Sequence, residues 1–397
     1  MNEINTRLQQ REKEGRPIMV GLVGAGQMGS EIVSQIGEMR GMEACVVVDT
    51  TAERAQKGFE HTRKHPEVVV VNTLAEAERA VSAGKCVAAT DYRIATRLSR
   101  VDAVIDATGS TRMAAIVSMD AIDHKKHIVM MSVEADVTVG PILRRFAENA
   151  GVVYSLAAGD EPAAIVELFR FADSLGFEVI AAGKGKNNPL NIYSTPETES
   201  SRAQERMMNP RMLCEFVDGS KTAIEMAAVS SATGLVPDKR GMHGARSTVD
   251  QLNSVFVPEA DGGVLSKRGV VDFAIGVHPG VFLIVSTDNE HIKAGLKDRD
   301  MGPGPYYTLY RPFHLCSVEV PLTVCQAVFY GESSGHPGGR LVTECITVTK
   351  RDISRGEILD GIGEFCYRGS VELAAVAREE RLLPLGIAQG CRALKDI

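Results

Sequence analysis

The sequence lacks any stretch near the ~18 consecutive apolar residues of a membrane span, which excludes a membrane-spanning helix. Its opening, Met1 to Gly15, is polar and mixed in charge, with no apolar core segment, so it does not read as a secretory signal. No CxxC occurs among the eight cysteines, which are scattered along the chain. A chain of 397 residues needs no disulfide frame, and reduced thiols in a cytoplasmic setting are the simplest reading. An excess of basic charge is also missing. Lys and Arg number 44 against 51 Asp and Glu, a net charge of −7, which argues against nucleic acid as the main partner. What is present, 44% apolar and 24% charged residues, is the composition of a soluble globular protein of two or three domains.

The first half alternates apolar runs with helical spacing. Ile18–Val23, Ala44–Val48, Val104–Asp106, Ile128–Met131 and Val152–Leu156 read as strands. Gln27–Arg40, Thr111–His124 and Gly140–Ala150 read as helices. Such alternation implies a parallel sheet covered on both faces. After Gly159 the texture changes. Glu161–Leu175 and Ser220–Gly234 read as helices, Glu178–Ala182, Val281–Ser286 and Ser317–Val320 as strand-like pieces, and Ser333–Arg340 as a linker. The expected organisation is an α/β protein: a Rossmann domain over 1–158, an α+β catalytic domain over 159–332 and a small β-rich domain over 341–397.

Gly24-Ala25-Gly26-Gln27-Met28-Gly29 joins the first strand to the first helix. The first glycine permits a tight turn, the second lets a pyrophosphate approach the backbone, and the third lets helix and strand pack closely. The helix N-terminus adds free N–H groups for phosphate oxygens. Asp49 ends the second strand at the place of a ribose-binding acid and favours NAD over NADP, although Arg54, a turn further on, offers a partner for a 2′-phosphate. Ala107, Thr108 and Gly109, at the end of a later strand, leave room for the cofactor, and Glu134 follows the next one.

Candidate reacting groups gather in the second half. Lys184 and Lys186 stand two apart in Gly183-Lys184-Gly185-Lys186-Asn187-Asn188, so in an extended chain they point to one side and repel unless an anion sits between them. That suits a phosphate clamp or a proton donor. Asp218-Gly219-Ser220-Lys221 opens a helix whose one ionisable residue from Thr222 to Val236 is Glu225, four positions after Lys221. A capped surface helix is the bland alternative, but a carboxylate in so apolar a helix needs a partner or a task. Asp160 and Glu161 cap a helix or bind substrate hydroxyls. Two carboxylates alone do not define a divalent-metal site. The loop Gly241–Arg246, which holds His243 and Arg246, and the aromatic-rich loop Gly302–His314 cover a ligand or simply pack on the core.

The strings GLVGAGQMG, MMSVEADVTVGP, YSLAAGDEP, GKGKNNPLN, FVDGSKTAIEMAA, MGPGPYYTLYRPFHL and VTKRDISRGEILDGIG resemble the homoserine-dehydrogenase-like oxidoreductases, and more narrowly the deoxyxylulose-phosphate-reductoisomerase-like (DRL) proteins. The resemblance implies a Rossmann domain, a central catalytic and dimerising domain and a C-terminal SAF-like module. It also implies reduced nicotinamide cofactor and reductive isomerisation of 1-deoxy-D-xylulose 5-phosphate, a step of isoprenoid precursor synthesis. Two departures stand out. Asp49-Thr50-Thr51-Ala52-Glu53 replaces the basic residues expected of NADPH-using members. Homoserine dehydrogenases place an acid where Lys221 stands and a lysine where Glu225 stands, so homoserine is not the expected substrate. The ending Leu394–Ile397 resembles the start of a further copy of the Lys350–Leu359 pattern, as if the native chain ran on.

The resulting expectation is a cytoplasmic, homo-oligomeric (dimer or tetramer) NAD(P)(H)-dependent oxidoreductase acting on a small phosphorylated polyhydroxy ketone or aldehyde. Lys184, Lys186, Lys221, Glu225 and Asp218 are its catalytic candidates. Asp160, Glu161, Asn187, Asn188, His243 and Arg246 are its substrate-binding candidates. The alternatives are an NAD-linked catabolic sugar-phosphate dehydrogenase without isomerisation, and a dinucleotide-sensing or carbohydrate-binding protein without turnover.

Overall fold

A computed structural model describes residues 2–339 and 341–397. Met1 and the last residue of the expected linker, Arg340, lie outside them. The chain forms two compact units, residues 1–163 with 315–336, and residues 164–314 with 337–397.

The first unit is built on one sheet of seven parallel strands: β1 (Ile18–Val23), β2 (Met42–Val48), β3 (Val68–Val70), β4 (Cys86–Ala89), β5 (Ala103–Asp106), β6 (His127–Met130) and β7 (Tyr154–Leu156), in the order β3-β4-β2-β1-β5-β6-β7. Every residue of β1 is buried, as a strand covered on both faces requires. The strand order reverses at β1, so the crevice beyond the carboxyl ends of β1 and β5 is where such a sheet binds a dinucleotide. Helix Gln27–Glu38 covers one face with Ile32, Val33 and Ile36.

Three details depart from the sequence reading. The segment Ser317–Val320, expected as a strand, lies inside the helix Cys316–Tyr330. Its β-branched residues mimic a two-residue period, but Val320, Val324 and Cys325 recur at helical spacing and pack into the core of the first unit with Ile32 and Ile36. This helix therefore returns to the first unit, although the sequence reading assigned it to the second domain. The helix expected from Gly140 already begins at Val133 and continues through Pro141. Strands β3 and β4 had no sequence counterpart, being only three and four residues long.

The second unit holds a mixed five-stranded sheet, β8 (Glu178–Lys186), β9 (Val236–Pro237), β10 (Val270–Ile275), β11 (Val281–Ser286) and β12 (Tyr306–Arg311), in the order β12-β11-β8-β10-β9. A two-stranded antiparallel sheet, β13 (Thr343–Thr349) with β14 (Tyr367–Leu373), completes it. β8 runs to Lys186 rather than stopping at Ala182, so both lysines belong to the central strand, between β10 and β11. The aromatic run expected as a loop is in its first half β12, where Tyr306 and Tyr307 are buried. Among the described residues no helix is long and apolar enough to cross a membrane.

Candidate functional site

In the first unit the glycine loop meets the three steric demands separately. Gly24 has φ +102°, and a Cβ there would collide with the carbonyl of Ala107. A Cβ at Gly29 would collide with the carbonyl of Gly24 and approach the Leu22 side chain at 3.2 Å. A Cβ at Gly26 would meet nothing within 4 Å. The first and third glycines are thus required by the fold itself, while the space over the second is open to a ligand. Gln27 and Met28 begin the helix behind it. A pyrophosphate fits this cradle, and the helix end supplies its N–H groups and positive field.

The Asp49 carboxylate closes the adenosine side of the loop. It accepts the Ala25 N–H at 2.7 Å and the Thr50 N–H at 2.7 Å, and Arg54 Nε lies 3.1 Å away. The two groups expected to discriminate a ribose hydroxyl from a 2′-phosphate are therefore paired with each other. At the end of β5 the buried carboxylate of Asp106 accepts from Thr108 Oγ1 at 3.1 Å and from Ser132 Oγ at 2.6 Å, and Ser132 Oγ in turn accepts the Gly109 N–H at 3.0 Å. Burial pushes the Asp106 carboxyl up to about 6, against the pull of these hydroxyls. The network fixes the Ala107–Gly109 turn beside Gly24. Glu134 stands in the first turn of the helix Val133–Ala150. Asp160 and Glu161 are buried at the start of the helix Glu161–Ser174.

In the second unit Lys184 and Lys186 point to one side of β8, as their spacing predicts. The Lys184 ammonium forms an ion pair with Glu225 of the helix Ser220–Thr233, whose side chain is 1% exposed. Lys186 Nζ donates to the Phe216 carbonyl. Burial first, and the neighbouring Lys184 charge second, push its ammonium down to about 8. Lys221 sits in the first turn of the same helix, partly exposed.

Residues 159–320 match the family model for the catalytic domain of the oxidoreductase DRL, and residues 24–156 match that for the NAD-binding domain of homoserine dehydrogenase. The chain pairs these two domains. Both models are of oxidoreductases, one of DRL and one of a dehydrogenase. No curated protein matches it. Among solved structures it is similar to a Synechocystis biliverdin reductase (17% identity over 45% of this chain and 49% of that one, TM-score 0.30). Others are a Lactobacillus casei scyllo-inositol dehydrogenase (11%, 68% and 73%, 0.39) and a variant of an Actinomadura kijaniata 3-ketoreductase (12%, 80% and 91%, 0.40). The chain spans about half the length of the biliverdin reductase. Likeness at this level carries no functional inference.

Around the lysines, the second unit contains groups that sequence reasoning missed. Asp218, expected as catalytic, is fully buried with both oxygens engaged. Oδ2 lies 2.6 Å from Lys350 Nζ, and Oδ1 accepts the Ser220 N–H at 2.8 Å. It holds the turn into the helix. Lys350, just past β13, also donates to the Ser194 and Glu364 carbonyls. Its place in the string VTKRD was the one available signal, and its partner is remote in sequence. Asn188 Oδ1 accepts from Arg202 and Arg206 at 3.0 Å each, while Asn187 is exposed. His243 Nε2 lies 2.8 Å from Asp238, and its backbone N–H donates to Asp272. Arg246 is exposed on its loop. These residues position the strand ends around β8, and the structure gathers Lys184, Lys186, Asp218 and Glu225 into one cluster.

Proposed function

We propose that this DRL-type enzyme transfers hydride between NAD(H) and a small phosphorylated polyhydroxy ketone or aldehyde, as a reductoisomerase-like catalyst in the cytoplasm, with residues 341–397 as a SAF-like module of a homo-oligomer. The observation that carries this reading is the buried Lys184–Glu225 pair on the strand that also bears Lys186. A bound nicotinamide supplies or accepts the hydride. The chain's own groups place the substrate and manage charge at its carbonyl oxygen. Lys184, paired with Glu225, stabilises an oxyanion and passes a proton to it, and an enediolate preceding reduction would be stabilised in the same way. Asp160, Glu161 and Asn187 are kept as candidates for substrate hydroxyls.

Phosphorylated ketoses and aldoses, assayed by nicotinamide absorbance with NADH and NADPH in parallel, test the reading. Turnover of none of them overturns it. A rearranged carbon skeleton in the product supports isomerisation, and an unchanged one favours the simple sugar-phosphate dehydrogenase.

Two further outcomes are expected. Asp49→Ser removes the carboxylate that repels a 2′-phosphate and releases Arg54, so the ratio of kcat/KM for NADPH over NADH rises by roughly ten- to hundredfold. An unchanged ratio rejects the role given to Asp49. With Lys186 protonated below about 8, kcat/KM is high there and falls as pH rises through that value. Lys186→Met abolishes this limb, and a retained limb at the same pH assigns it elsewhere.

A further inference from the structure

The first unit buries a second carboxyl group besides Asp106. Asp136 lies in the first turn of the helix Val133–Ala150 and is fully buried. Its Oδ1 accepts from the Tyr154 hydroxyl of β7 at 2.9 Å, and its Oδ2 has no hydrogen-bond partner. Tyr154 is buried too, in one apolar cluster with Ala135, Leu143 and Ala147 of that helix. The main elements packed against the helix are Thr111–Asp123, β6 and β7. They carry Arg112, Asp120, Asp123, His127 and Tyr154, and the helix itself carries Glu134, Arg144, Arg145 and Glu148. Asp120 is paired with Arg97, Arg144 with Glu148, and His127 accepts the Val153 N–H. Of all these groups Tyr154 alone acts on the Asp136 carboxyl, while Asp106 acts on Tyr154.

A charged Asp136 would be an anion out of water supported by one hydroxyl. The positive end of the helix favours that anion, but by less than full burial disfavours it. The protonated acid leaves only one neutral O–H unsatisfied, which costs less than a bare charge. Burial accordingly pushes Asp136 up to about 7, against the pull of the Tyr154 hydroxyl. Ser132, the cap of the same helix, ties this position to the nucleotide crevice. Its carbonyl accepts the Ala135 N–H at 2.9 Å, while its hydroxyl donates to Asp106 and accepts the Gly109 N–H. The turn that seats Asp136 in the core therefore carries the serine that fixes Ala107–Gly109.

We infer that Asp136 is an uncharged acid in the folded first unit, and that losing its proton opens the helix turn it anchors and with it Ala107–Gly109, so that cofactor binding is sensitive to pH. An uncompensated buried charge is relieved when the first turn opens to water. The inference rests on the reading of the crevice as a nucleotide site and not on the identity of the substrate. An aspartate in the unfolded chain loses its proton near 3.9. Between about that pH and about 7 the folded unit holds a proton that the unfolded chain has lost. The stability this supplies is complete below the unfolded value and is gone once pH has risen through about 7.

The test compares the full wild-type chain with Asp136→Asn, which keeps the shape and the accepting oxygen but has no proton to lose. Melting and denaturant titration from pH 5 to pH 8 read stability. On this account the folding equilibrium of wild type, relative to the variant, falls roughly a hundredfold over that range. Asp106 and the histidines titrate alike in both proteins and cancel in the comparison. Calorimetric titration with NADH from pH 6 to pH 8 reads the coupling. Wild-type affinity should fall by up to about tenfold, as the protonated fraction does, and the variant should lack this fall. Equal pH dependence of stability in the two proteins overturns the inference. A difference in stability without one in NADH affinity overturns the link to the cofactor turn. If Asp136→Asn does not fold, Tyr154→Phe carries the test. It removes the hydroxyl that supports the charged form, so the midpoint of the stability change should move to higher pH, and a midpoint unmoved or lowered overturns the inference. No sugar phosphate enters these measurements, so the substrate assay is judged separately.

Discussion

Lys184→Met is expected to abolish measurable turnover and to destabilise the protein in the same stroke. The substitution leaves Glu225, 1% exposed, as a carboxylate without its counter-ion on β8. Removing one member of a buried pair costs about 3–5 kcal/mol. Loss of a positioned proton donor reduces rate by about 10²–10⁴-fold. The two effects separate in the double variant Lys184→Met/Glu225→Leu, in which apolar groups of similar size replace the pair. Such replacement is close to neutral for stability. The double variant should therefore melt near wild type and still turn over no better than Lys184→Met. Recovery of activity along with stability would make the pair a structural strut and remove it from the chemistry.

The second large effect concerns the nucleotide loop. Gly26→Ala should leave the melting temperature within a degree or two of wild type, because the added methyl meets no protein atom within 4 Å and the backbone there, at φ −70°, suits any residue. Its cost falls on the cofactor, whose pyrophosphate would occupy that space, and NADH affinity should drop by roughly ten- to hundredfold. Gly29→Ala should lower both, since its Cβ collides with the Gly24 carbonyl. Calorimetric titration with NADH, beside melting curves, reads the two quantities independently. Wild-type affinity in Gly26→Ala would place the dinucleotide elsewhere.

The glycine loop was legible because everything it needs is local: a strand, three glycines and a helix in consecutive order. The side on which Lys184 and Lys186 point was legible for the same reason, since a two-residue spacing on a strand fixes the face. What escaped was what the chain assembles from afar. Lys350 meets Asp218, and β14 brings Gly369 against Ser220, through contacts that no spacing in the sequence announces. The pairing of Asp218 with Lys350 was not legible, because an acid before a helix reads alike whether it faces a ligand or a buried lysine. The error at Ser317–Val320 has a different origin. Alternating Val and polar residues imitate a strand over four positions, and only the wider spacing of Val320, Val324 and Cys325 discloses the helix.

That helix has a consequence for biogenesis. The first unit is discontinuous: its sheet is complete by Leu156, yet Cys316–Tyr330, which supplies Val320, Val324 and Cys325 to the core shared with Ile32 and Ile36, is synthesised more than a hundred residues later. Until the ribosome delivers it, the nascent nucleotide-binding layer shows an oily face to the cell. Shortened gene products ending before residue 315 are expected to be less soluble than the full chain, because the order in which the polypeptide is made leaves that face uncovered until last.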